Sequence, residues 1–96
     1  MMVLITYDVN TQTEAGKKRL NKVAKQCKNY GQRVQNSVFE CILDPALLKK
    51  VQGKLETIID LKTDSVRYYY LGDDWRKRVE HIGAKPSLDL EGTLIV

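Results

Sequence analysis

Met2-Val3-Leu4-Ile5-Thr6-Tyr7-Asp8 decides how the rest of this 96-residue chain is arranged. Only Thr6 interrupts the apolar residues ahead of Asp8. A run of this length without strict alternation suits a strand buried on both faces, in the middle of a sheet. Val9-Asn10-Thr11-Gln12-Thr13 is turn-rich and leads into a strongly basic segment. One carboxylate is thereby set at the end of a central strand, beside a positive surface. An aspartate in such a position is commonly a turn or capping residue, and the strand alone does not separate that role from a catalytic one.

Thr11 and Glu14 stand three apart, the spacing of a capping box, so the first helix is expected to open there. Leu20, Val23, Ala24 and Cys27 define its buried stripe, and Gly31 after Tyr30 is expected to close it as a C-terminal glycine. Lys17, Lys18, Arg19, Lys22, Lys25 and Lys28 are opposed by Glu14 alone. The helix thus holds more net positive charge than the +4 of the whole chain. Lysines at this density form either a solvated face or a phosphate-binding surface, where binding gains from counterion release.

Residues 32–35 and 37–43 read as strands about a tight reversal at Asn36. Period two places Phe39, Cys41 and Leu43 on one face and Val38, Glu40 and Ile42 on the other. Glu40 is then a charge on a half-apolar face, destined for a lysine partner or a subunit contact. Asp44-Pro45 announces a second helix, with the aspartate as N-cap and the proline in the first helical position. Leu47, Leu48, Val51, Leu55, Ile58 and Ile59 give it a packing stripe. Val66–Leu71 forms a fourth strand, in which Tyr68 and Tyr69 must face opposite ways. That alternation favours core and edge packing of the tyrosines over base stacking.

Strand, helix, strand, strand, helix, strand is βαββαβ: an α+β, ferredoxin-like fold with two helices on one face of an antiparallel sheet. Residues 1–96 make a single domain with its core in about residues 1–72. Arg78–Ile82 suggests a short further strand, and Gly92-Thr93-Leu94-Ile95-Val96 ends the chain on apolar residues. An apolar tail beyond a completed sheet needs a partner surface. Residues 73–96 are therefore expected to add to the sheet of a second subunit in a homodimer.

Sixteen basic against 12 acidic residues give a mild preference for polyanions and exclude no class of partner. Cys27 and Cys41 form neither a metal-ligand spacing nor a disulfide framework, and read as small buried hydrophobes of a reducing, cytoplasmic protein. The opening apolar run is too short to span a membrane and lacks the flanks of a signal peptide. His81, the sole histidine, reads as structural, and Asp73 and Asp74 as a solvated turn. No Ser-His-Asp set, phosphate-binding loop or clustered metal motif is present.

Tyr7-Asp8 closing the first strand, the basic helix, Gly31-Gln32-Arg33-Val34-Gln35-Asn36-Ser37-Val38-Phe39-Glu40 and the late Val79-Glu80-His81-Ile82-Gly83 together resemble a known family. It is the small CRISPR-associated endonuclease family of spacer acquisition, the second of the two core adaptation proteins. The resemblance covers essentially the whole chain and is closest to versions from the I-C type of system. It implies a ferredoxin-like homodimer whose first-strand aspartates, Asp8 here, meet across the subunit boundary and hold Mg²⁺ or Mn²⁺. It further implies metal-dependent cleavage of double-stranded DNA or single-stranded RNA, and a bridging role between dimers of the CRISPR integrase. Tyr7, Arg33, Ser37 and Phe39 are implied as supports near the site or the dimer cleft. Lys17, Lys18, Arg19, Lys22 and Lys25 are expected to meet nucleic-acid backbone. A non-catalytic DNA-binding adaptor is the alternative function. A small-molecule regulator or acylphosphatase-type enzyme explains the basic helix badly and would need a glycine-rich anion loop.

Overall fold

The computed structural model describes residues 1–83. Its elements are β1 (Met2–Asp8), α1 (Glu14–Tyr30), β2 (Gly31–Gln35), β3 (Val38–Ile42), α2 (Pro45–Ile58) and β4 (Ser65–Gly72), then a one-turn 3₁₀ helix at Trp75–Lys77. The sheet order is β2-β3-β1-β4 and each neighbouring pair is antiparallel. β1 is central, as its apolar run requires. Val3, Ile5 and Tyr7 alternate into a core shared with Phe39, Cys41 and Leu43, with Val23 and Cys27 of α1, and with Leu48, Val51 and Leu55 of α2. Both helices therefore cover one face of the sheet, in the ferredoxin-like arrangement expected. Leu4, Thr6 and Asp8 point to the other face, where Leu4 and Thr6 are half-buried and Asp8, at the strand end, is exposed.

The start of α2 follows its sequence signal: Pro45 is in the first turn, and the Leu47 N–H donates to Asp44 Oδ1 at 2.8 Å. The start of α1 lies two residues later than the Thr11–Glu14 spacing suggests. Thr13 is the cap, with its Oγ1 accepting from the Gly16 N–H at 3.0 Å. The shift has a local cause. Asn10 Oδ1 takes the Gln12 N–H at 2.9 Å, so residues 10–12 form a side-chain-closed turn and the helix begins only after it. Glu14 still sits in the first turn, where the helix dipole favours an anion.

Gly31 also differs from expectation. Its backbone is extended (φ −160°, ψ −168°), which any residue adopts, so it is not a left-handed helix cap. Glycine is required there for space: a Cβ would run into Cys41 Sγ and the Glu40 carbonyl on β3. Cys27 and Cys41 are buried free thiols, and burial pushes them up to about 11 and about 12, which keeps them protonated and inert at neutral pH. Tyr68 packs against the core, while Tyr69 and Tyr70 stay exposed at the β4 edge, their hydroxyls bonded to Arg67 and Gln52.

Residues 78–82 do not form the expected strand. Trp75 is buried beneath the Arg76 guanidinium, 4.6 Å from the ring centroid, and the Arg78 guanidinium donates to the Leu71 carbonyl at 2.8 Å. These contacts turn the chain back onto the end of β4, and among the described residues no sheet edge pairs with it. The expected tail strand at 92–96 lies outside the described residues.

Two glycines test this packing in opposite directions. Gly31→Ala should destabilise by about 1–3 kcal/mol, because overlap with β3 must be relieved by backbone movement. Gly53→Ala, in the exposed middle of α2 where a Cβ meets nothing within 4 Å, should stabilise by about 0.5–1 kcal/mol. Denaturant midpoints of both variants against wild type decide the matter, and a neutral Gly31→Ala would show that β2 and β3 are not so closely apposed.

A candidate active site at the end of the central strand

Asp8 is the last residue of β1 and is exposed. Its pairing with β3 has already ended, since that ladder stops at Thr6↔Val38, and its one ladder partner is Ser65 of β4. Among the described residues, no hydrogen bond or ion pair engages its carboxylate. A shallow hollow of about 450 Å³, lined by Gln35, Asn36, Ser37 and Val38, opens at the same end of the sheet.

Tyr7, Arg33, Ser37 and Phe39 do come together, but on the helix side of the sheet, opposite to Asp8. The Tyr7 ring lies 6.2 Å from that of Phe39, its hydroxyl donates to the Asn36 carbonyl at 3.2 Å, and its N–H donates to the Ser37 carbonyl at 3.1 Å. The Arg33 guanidinium sits 5.1 Å from the Phe39 ring centroid. Burial raises the Tyr7 phenol, and a hydrogen bond with Arg33 partly offsets this. These four residues brace the strand end from behind.

The basic residues of α1 separate into three situations. Lys18, Lys22 and Lys25 are exposed and without partners among the described residues. Lys17 is exposed but pairs with Glu14 at 3.2 Å. Arg19, expected to meet phosphate, is instead committed to Asp64, with Nε 2.8 Å from Oδ2. The reason is burial: Asp64 has no side-chain exposure and requires a charged donor.

Asp64 is the residue that reading the sequence missed. Its carboxylate accepts from the Asn10 N–H at 3.0 Å, the Asp60 N–H at 2.9 Å and the Thr63 hydroxyl at 3.1 Å, as well as from Arg19. Burial alone would raise its pKa. The hydrogen bonds from Arg19, the Asp60 and Asn10 amides and Thr63 outweigh that and hold it well below the usual carboxylate range. Glu40 shows the opposite balance. It is half-buried on the open face, burial raises its pKa, and the charge that partly offsets this is the exposed His81 rather than a lysine. Asp73 and Asp74 are exposed as expected, Asp73 lying 3.3 Å from the Met1 amino group.

No group of three or more His, Cys, Asp or Glu among the described residues is arranged to hold a metal. A tetrahedral nitrogen and sulfur site is therefore not available within the described chain. The Asp8 carboxylate, a hard oxygen donor without a competing partner, fits a hydrated Mg²⁺ or Mn²⁺, which uses one or two carboxylates and completes its shell with water and phosphate oxygens.

The depressed Asp64 pKa has a definite consequence for stability. The ionised form is favoured in the folded state, so its contribution is complete above the ordinary aspartate value of about 3.9 and is lost as pH falls from there toward the folded value. Asp64→Asn is expected to cost about 2–3 kcal/mol at pH 7 and to flatten the loss of stability below pH about 4. Unfolding measured from neutral to acid pH checks both, and an equally steep acid limb in the variant would assign the acid sensitivity to other carboxylates.

Residues 1–79 match the family model described as "CRISPR associated protein Cas2". The chain is 60% identical over its full length to the CRISPR-associated endoribonuclease Cas2 of Chlorobaculum tepidum, which it covers entirely. It is also 60% identical to the CRISPR-associated endonuclease Cas2 of Halalkalibacterium halodurans, over 99% of both chains. Among solved structures, Streptococcus pyogenes Cas2 at pH 6.5 superposes with a TM-score of 0.77 at 61% identity, over 86% of this chain and all of that one. None of these names specifies a system subtype. Identity at this level along the whole length, on the same fold, leaves no room for a different family: the chain belongs to the CRISPR-associated Cas2 family.

Proposed function

We propose that this protein is a metal-dependent endonuclease of CRISPR adaptation that works as a homodimer, with Mg²⁺ or Mn²⁺ held between the Asp8 carboxylates of two copies. The observation that carries this reading is the Asp8 carboxylate itself, solvent-open and unpartnered among the described residues at the end of a central strand whose other residues are buried or half-buried. A charge left free at the one exposed position of such a strand serves no packing purpose. The names of the relatives, endoribonuclease and endonuclease, support phosphodiester hydrolysis as the reaction. Single-stranded RNA and double-stranded DNA are the substrates to test.

One carboxylate per chain holds Mg²⁺ weakly, and a second copy supplies the other. The half-buried Leu4, Val38 and Ile42 on the open face support an apolar contact between copies there. When bound, the cation polarises a phosphodiester oxygen and lowers the pKa of a coordinated water. The protein's part is to present Asp8 from a rigid strand end, with the Tyr7, Phe39 and Arg33 stack bracing it from the helix side.

A second reading draws on a separate surface. Lys18, Lys22 and Lys25 lie on α1, across the sheet from Asp8, and suit contact with duplex backbone without reading bases. On this reading the dimer is an adaptor that holds DNA and joins integrase dimers during spacer integration.

Because the two surfaces lie on opposite faces, substitutions confined to one of them separate the two readings. Asp8→Asn should reduce Mg²⁺-dependent cleavage by at least about 100-fold, since even outer partners of a metal ligand contribute 10–100-fold, while duplex binding persists. Lys22→Glu with Lys25→Glu should weaken duplex binding and lower the slope of log K against log salt by about one per lost phosphate contact. Cleavage by Asp8→Asn at the wild-type rate would remove the nuclease reading, and intact spacer acquisition with that variant would favour the adaptor.

A further inference from the structure

We infer that Asp64 is a positioning residue for Asp8, an inference that rests on the nuclease reading above. Asp8 has nothing of its own to fix it. Its carboxylate is free among the described residues, β3 no longer pairs with it, and Ser65 is its one ladder partner. Its place is therefore set by backbone on two sides, the Ser65 rung and the Val9-Asn10 turn that follows. Asp64 controls both. It immediately precedes Ser65, and its Oδ1 takes the Asn10 N–H at 3.0 Å, two residues beyond Asp8.

The same carboxylate ties this corner to two further segments. Arg19 Nε, from α1, lies 2.8 Å from Oδ2, and the Asp60 N–H and Thr63 hydroxyl, from the α2–β4 loop, lie at 2.9 and 3.1 Å. Asn10 is held from the opposite side as well. The first turn of α1 approaches it so closely that a Cβ on Gly16 would overlap the Asn10 carbonyl oxygen. The turn is thereby clamped between Asp64 and α1. Asp64 itself is buried with both oxygens occupied, so it is neither a ligand nor a contact for substrate.

The experiment compares wild type, Asp64→Asn, Arg19→Lys and a core control, Val51→Ala, as full-length proteins. One arm measures amide hydrogen exchange without metal; the other measures cleavage against Mg²⁺ concentration. Asp64→Asn should lose exchange protection at residues 8–10 more than at α2, and should need about 10–100-fold more Mg²⁺ for half-maximal cleavage, with the rate recovered at high Mg²⁺. Arg19→Lys, which keeps the charge but loses the planar fork, should shift both in the same direction by less, and it carries the test if Asp64→Asn does not fold. Val51→Ala lowers stability without moving the Mg²⁺ requirement. Wild-type Mg²⁺ dependence in both clamp variants, or an equal shift in Val51→Ala, overturns the inference. Absence of cleavage by wild type overturns the nuclease reading instead, and the exchange arm then decides whether Asp64 holds the Asp8 corner.

Discussion

The Asp64 carboxylate is closed off from water yet stays charged, because donors from three separate parts of the chain converge on it. Replacing a buried ion pair with apolar residues is often neutral or favourable, so the pair with Arg19 is not best understood as a source of stability. Its effect is geometric. Removing either partner leaves buried groups unsatisfied, so the corner where β1 ends, α1 begins and β4 starts has one low-energy arrangement. The exposed strand end beside it inherits that definition.

This division of labour explains why the exposed Asp8 can be both unpartnered and fixed. The apolar alternation of Val3, Ile5 and Tyr7 secures the strand against the helices, and Phe39 with Arg33 closes the core behind the last turn of the strand. The opposite face keeps Leu4, Val38 and Ile42 only half covered. The basic residues of α1 lie on the far side of the molecule from that face. Chemistry and backbone binding, on this account, occupy different surfaces of one small domain.

Much of the fold was legible because its signals are local. The Asp44-Pro45 cap and the leucine stripe of α2 depend on neighbours within a few residues, and both appear as read. The run ending at Asp8 is the central strand expected, but only its helix-side face is fully buried, because Leu4 and Thr6 on the other face stay half-exposed. The opposite settings of Tyr68 and Tyr69 followed from alternation, whereas Tyr70, on the same side as Tyr68, stays exposed at the sheet edge with its hydroxyl bonded to Gln52. Errors arose where a local pattern met a competing contact. Thr11 had the spacing of a cap, but Asn10 closes its own turn first and hands the role to Thr13. Gly31 looked like a helix terminator, whereas it is glycine because β3 leaves no room for a side chain. Asp64 drew no reading at all, since its partners Arg19 and Asn10 stand 45 and 54 positions away. Asp8 carried its signal in position, and the family-like segment after Gly31 converted that position into a candidate site.

The proposed sharing of one divalent cation by the Asp8 residues of two copies fixes a definite stoichiometry. Counting bound Mn²⁺ per chain, by electron paramagnetic resonance across a metal titration at neutral pH, addresses it without relying on activity. Wild type is expected to hold one tightly bound ion per two chains, and Asp8→Asn none. One ion per chain, or unchanged binding in Asp8→Asn, would contradict that sharing.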